Sequence, residues 1–229
     1  MHCRRRCARR RAVGPPGRAC GTLQRVPGSF DDSPTAVAPE AQAVLDFWFG
    51  APGSPEAGTL RPEWWRKDPA FDAEIRRRFG ALLERALRGE LAHWDREPHG
   101  ALAQVLLLDQ LTRNAFRSTA RAFEGDARAL AAAQAMVARR QDEALAPERR
   151  AFVYMPFEHA ESLAAQDEAV RLFTNLAALS PEHDEQLDYA RRHRAVIARF
   201  GRFPHRNRIL GRESTPEEAA FLLEPGSSF

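Results

Sequence analysis

Apolar residues recur along the chain at intervals of three and four, and no stretch alternates with period two for long enough to make a strand. The pattern predicts an all-α protein. "AVLDFWFG" reads as a short helix from about Glu40 to Phe49, stopped by Gly50. Phe71, Ile75, Phe79, Leu82, Leu83, Ala86 and Leu87 form the stripe of a second helix, which ends near Gly89. "ALAQVLLLDQLTRNAFR" is apolar on nearly every side through Leu108, so its first half is expected to be buried all round. Asp126 is placed to cap an alanine-rich helix to about Arg140. Pro147 opens a short helix through Tyr154, and Pro156 is expected to force a break or a kink. A long helix from Phe157 to Leu179 follows. Ser180 and Pro181 then start one that carries Leu187, Tyr189, Val196, Ile197 and Phe200 and stops at Gly201. Thr215, Pro216 and Glu218 begin a last short helix through Leu223. The short connections predict a compact array of about eight or nine antiparallel helices. No repeat of about 34 residues is present, so any solenoid relation is one of fold alone.

Composition sets one segment apart. Residues 1–29 hold eight arginines and no acid, with too few apolar side chains to pack a core. The expectation is a disordered tail at residues 1–29 followed by a single helical domain at residues 30–229. The tail resembles a transit segment, and a start assigned too far upstream gives the same appearance. The chain's formal charge is +3, but residues 30–229 carry 26 basic against 31 acidic side chains, a net of −5. That balance excludes a general duplex-DNA binder, which replaces phosphate counterions with a surplus of Lys and Arg. Cys3, Cys7 and Cys20 all lie in the tail, leaving the body no thiol for a disulfide, a zinc site or a nucleophile; a cytoplasmic protein fits. No run of 18 apolar residues is present to span a membrane.

Three polar constellations stand out against this helical background. In "LDQLTRNAFR", Gln110, Arg113, Asn114 and Arg117 fall at i, i+3, i+4 and i+7, one polar stripe beside Asp109. A structural network accounts for them if Asp109 pairs with Arg113 one turn on, with Asn114 and Arg117 left facing outward. In "YMPFEHAESLAAQ", His159 shares a spacing with Leu163, Gln166, Val170 and Phe173 and so faces inward. Glu158 beside it would sit in a first helical turn, where carboxylates are favoured. The third is "FGRFPHRNRILGR" with His193 on the helix before it. Gly201, Phe203 and Pro204 would fix a turn that presents Arg202, His205, Arg206 and Asn207. The order Glu158, His159, Glu161 matches neither the Glu-x-x-His pair of di-iron bundles nor His-Glu-x-x-His, so no metal or cofactor is expected.

Together, "VLDFWFG", "LLLDQLTRNAFR", "YMPFEHAE" and "RFGRFPHRNRILGRESTPEEAAFL" resemble the signature segments of a bacterial family of unknown function, DUF924. The resemblance runs from about Ala41 to Leu223 and excludes the Arg-rich tail. It implies a compact helical fold of the tetratricopeptide-like kind and carries no assigned activity. Two function classes follow. One is a receptor for a small anionic ligand, a phosphate or carboxylate, held by Arg113, Arg117, Arg202 and Arg206 and oriented by Asn114 and Asn207. If that pocket is an enzyme's, His205 or His159 would carry the proton with Glu158 as partner. The other class is an adaptor whose concave surface holds a peptide. RNA contact through the Arg-rich loop is disfavoured, because the aromatic residues beside it read as buried. Oligomeric state is not legible in the sequence.

Overall fold

The computed structural model describes residues 37–59 and 61–227; the expectations for residues 1–29 lie outside them. Among the described residues the chain forms nine α-helices and no strand. They are α1 Pro39–Phe49, α2 Pro69–Leu87, α3 Pro98–Leu106, α4 Thr112–Ala115, α5 Asp126–Ala138, α6 Pro147–His159, α7 Leu163–Leu179, α8 Asp184–Phe200 and α9 Pro216–Phe221. A π-helical turn, Leu107–Leu111, joins α3 to α4, so the two make one rod and the rods number eight.

Proline opens α1, α2, α3, α6 and α9, where its missing N–H costs nothing and its fixed φ suits the first turn. Asp68 caps α2 by accepting from the N–H groups of Ala70 and Phe71, Glu97 caps α3, and Thr215 with Glu218 forms a capping box on α9. The main core joins α1 to α7 and reaches Ala190 of α8. A smaller cluster of Val196, Ile197 and Phe203, packed against Phe200 and Phe221, fastens the C-terminal loop. His193 falls between the two, one helical turn beyond Ala190 and one before Val196 and Ile197. The α3 rod lies at the centre and packs against α1, α5 and α6, as its all-round apolar pattern requires.

Three local expectations are corrected. Pro156 neither breaks nor ends its helix: α6 runs through it to His159. Every residue from Ala151 to Glu158 is buried, and that packing outweighs the one backbone hydrogen bond the proline removes. The boundary between α6 and α7 therefore falls at the turn Ala160–Ser162, which puts Glu158 and His159 in a last helical turn and not a first one. His159 does not share a helix with Leu163, Gln166, Val170 and Phe173, and Leu163 is 44% exposed. Asp126 is the first residue of α5 and Gly125 occupies the cap, which frees the Asp126 side chain for the interior.

Candidate functional site

The π-turn builds the site. One residue too many in a helical turn shifts the register, so the side chains before it and after it no longer share a stripe. Thr112 stabilises the irregular turn, because its backbone N–H and its hydroxyl both donate to the Leu107 carbonyl, the latter at 2.6 Å. Gly125 then lets α5 start against the turn. A Cβ at that position would fall 2.1 Å from the Leu108 carbonyl oxygen, and only glycine allows so close an approach. The contact brings Asp126 to the residues that the π-turn presents.

Asp109 lies at the centre and is fully buried. Its carboxylate accepts from His159 Nδ1 at 2.8 and 3.0 Å and from Gln110 Nε2 at 2.6 Å, and forms an ion pair at 3.0 Å with Arg113, which also donates to the Asp109 backbone carbonyl at 2.8 Å. Burial alone would raise its pKa, but the Arg113 guanidinium and His159 beside it hold the carboxyl well below the usual range. Arg113 reaches on to Asp126 at 2.9 Å. Arg206 approaches the same Asp126 carboxylate at 3.3 Å from the loop that follows α8. Burial, with Asp109 nearby, raises the Asp126 carboxyl against the pull of Arg113.

Arg206 is an unusual cation. Its side chain is 7% exposed and lies between the rings of Phe203 and Phe123, 4.5 and 4.7 Å from their centroids. Its Nε is buried and has no partner among the described residues. Burial and the neighbouring Arg113 push the guanidinium down to about 10. Glu161 fixes the loop that carries it, accepting from the Phe203 N–H at 2.8 Å and pairing with Arg212 at 2.6 Å.

His159 and Arg206 line a common cavity of about 640 Å³, with Phe123, Asp126, Leu130 and the turn Ala160–Ser162 among its other walls. The Asp109 contact places the ring proton on Nδ1 and leaves Nε2 as an acceptor, hydrogen-bonded to no described residue. The turn also begins α7, whose first N–H groups lack intrahelical acceptors, and Ser162 makes no side-chain cap bond to them. Gln166 secures the turn by donating to the carbonyls of Glu158 and Ala160 at 2.6 and 2.8 Å. The cavity thus combines a buried guanidinium, a helix N-terminus and an oriented imidazole.

The other expected residues are placed differently. Glu158 pairs with His193 of α8 at 2.9 Å and not with His159; adjacent residues on a helix point about 100° apart, so the two reach opposite partners. The expected dipole role of Glu158 also fails, since it stands at a helix C-terminus, and His193 compensates it. Asn114 and Arg117 do not face the C-terminal loop. They bind Asp72 of α2 at 2.9 and 2.6 Å, while Arg113 on the same short helix keeps to Asp109. Arg202 pairs with Glu218 at 2.6 Å, and Asn207 bonds Ser214 and Glu218 at 3.0 and 3.3 Å, so both fasten the loop to α9. His205 packs its ring 5.5 Å from Phe203, and burial with the Arg206 charge lowers it to about 4, which keeps it neutral at pH 7. Of the three expected centres, the first and second meet through Asp109 and His159, and the third joins the second through His193 with Glu158 and through Glu161, with Arg206 and Leu210 its members at the cavity. Phe123 and Gly125 complete the site without having been singled out, Asp126 was read only as a helix cap and Glu161 only within a rejected metal pattern; "FEGDA" offered one signal, a glycine directly before a helix-opening acid.

Among the described residues no three His, Cys, Asp or Glu side chains are grouped to hold a metal ion. No helix among them is long and apolar enough to cross a membrane.

Residues 44–226 match the family described as bacterial protein of unknown function (DUF924). The chain belongs to this family. A solved structure of a protein of unknown function from Agrobacterium tumefaciens, ATU0120, superposes with a TM-score of 0.69 at 41% identity, covering 80% of this chain and 96% of that one. No curated protein matches. All nine described helices except the first residues of α1 fall within the DUF924 match, which therefore contains every described residue that lines the cavity.

Proposed function

We propose that the protein binds a small anionic molecule, a phosphate or carboxylate, in the cavity between α5, the α6–α7 turn and the C-terminal loop, and holds it against His159 Nε2 for proton transfer. The observation that carries this reading is Arg206, a guanidinium almost wholly withdrawn from water whose Nε has no partner among the described residues. Among the described residues its one ion pair is to an Asp126 carboxylate that it shares with Arg113. Isolating a cation in this way is expensive unless something answers its charge, and an anion lying between Arg206 and the α7 N-terminus does so. The Asp109–His159 pair then supplies an acid–base group of fixed tautomer at the same cavity.

Charge balance within the cluster supports the same reading. Two carboxylates, Asp109 and Asp126, face two guanidiniums, Arg113 and Arg206. A proton on Asp126, which burial favours, leaves the cluster cationic, so anion affinity should increase as the pH falls.

The test is thermal shift of the full chain against phosphorylated and carboxylated metabolites, with Arg206→Met alongside to keep the packing volume. A ligand present at a hundred times its dissociation constant adds about 2.7 kcal/mol of stability. The proposal predicts stabilisation by a subset of anions that Arg206→Met abolishes; equal shifts in both proteins would contradict it.

A further inference from the structure

The anion cavity is not closed along α5. A second cavity, of about 410 Å³, adjoins it and shares Leu130 and Ser162 as walls. Leu130, Gln134, Val137 and Ala138 of α5 form one side, Ala164, Ala165 and Glu168 of α7 the other, and Phe157 of α6 contributes to the lining. Glu168 is the only charged residue among these walls and is held by Arg171 at 2.6 Å.

One helical face links the two cavities. Ala127 and Leu130 line the first, and Leu130, Gln134, Val137 and Ala138 the second, at spacings of three and four that keep them on the same side of α5. From Ala127 to Ala138 that face runs about 16 Å at 1.5 Å per residue. It starts beside Asp126 and Arg206 and carries no charged residue from Ala127 to Ala138 among those that line the two cavities.

Resting on the anion reading above, we infer that the ligand is amphipathic, with its acidic group at Arg206 and His159 and an unbranched apolar chain along the groove between α5 and α7. A chain attached to the bound anion leaves the first cavity toward Leu130 without crossing a charged residue, and finds apolar walls of small cross-section at Ala138, Ala164 and Ala165. The described cationic walls lie in the first cavity and the charged wall of the second is Glu168, which sets the acidic group toward Arg206.

Calorimetric titration of the full chain with straight-chain carboxylates from acetate to decanoate, below their micellar concentrations, and with inorganic phosphate and alkyl phosphates, reads the inference directly. Each methylene taken into the groove can tighten binding by up to about fourfold, until the groove is full. Gln134→Trp and Ala138→Trp, both at exposed positions of the groove wall, should remove the chain-length gain and leave acetate and phosphate binding as it was. Affinity that is independent of chain length while short anions still bind would overturn this inference and leave the anion site standing. Failure of every anion to bind would remove both. Binding of an acidic amphipathic peptide, with no binding of alkyl anions, would overturn it in favour of a protein partner.

Discussion

Asp109 and His159 stand fifty positions apart in the chain and meet at 2.8 Å, on a carboxylate with no exposure to solvent. The contact joins the π-turn of the central rod to the last turn of α6. It fixes the imidazole's tautomer, and the same residue lines the cavity, so His159 serves fold and site together.

Asp109→Asn should therefore be costly. Removing one charge from a buried network leaves Arg113 with only the Asp126 that Arg206 also uses, a loss of about 3 kcal/mol. His159→Asn removes one hydrogen-bond partner of the Asp109 carboxylate and should cost about 1 to 2 kcal/mol. Urea unfolding of the two variants checks the order, and equal losses would show that the imidazole and not Arg113 depends most on Asp109.

Gly125→Ala tests the join between α5 and the π-turn. The added Cβ would lie 2.1 Å from the Leu108 oxygen, and backbone atoms on both sides must give way. A destabilisation of about 1 to 3 kcal/mol is expected, with weaker anion binding because Asp126 and its contacts move. A variant as stable as the parent, with its ligand affinity intact, would show that the helix can shift without consequence.

Stability should fall on mild acidification. His205 titrates near 4 in the folded chain against 6.5 for the unperturbed group, so the unfolded state takes up a proton that the native state refuses. The native state is favoured above about pH 6.5, and the contribution, up to about 3 kcal/mol, is lost as the pH drops toward 4. His183, also lowered by burial, acts in the same direction; Asp126, raised by burial, opposes it in the lower part of the range. His205→Gln should flatten the stability profile between pH 4 and 6.5, measured by denaturant unfolding at each pH. An unchanged slope would assign the acid sensitivity elsewhere.

The helices were legible because Phe71, Ile75, Phe79 and Leu83, or Val196, Ile197 and Phe200, carry their period openly. Gly201 was legible too, taking the left-handed conformation at the end of α8. The π-turn was not, because an extra residue in a helical turn changes no local composition; it shows only in which partners are reached. Gln110, Arg113, Asn114 and Arg117 do not act as one stripe: Gln110 and Arg113 turn to Asp109, and Asn114 and Arg117 to Asp72. Pro156 misled for the opposite reason, since a local breaker was overruled by burial on every side. The loop "GRFPHRNRILGR" divides in two. Arg202, Asn207 and Arg212 form a clasp to α9 and Glu161, while Arg206 is turned inward, and that division depends on partners far away in the chain.

The most direct test of an anion held between Arg206 and His159 is the nitrogen resonance of His159 Nε2 in protein labelled with ¹⁵N-histidine, assigned through His159→Asn and followed during titration with phosphate and with a short carboxylate. A saturable shift of Nε2, with Nδ1 remaining protonated against Asp109 and the whole response absent in Arg206→Met, is the predicted result. An Nε2 resonance that does not move, or moves equally in Arg206→Met, would contradict the account.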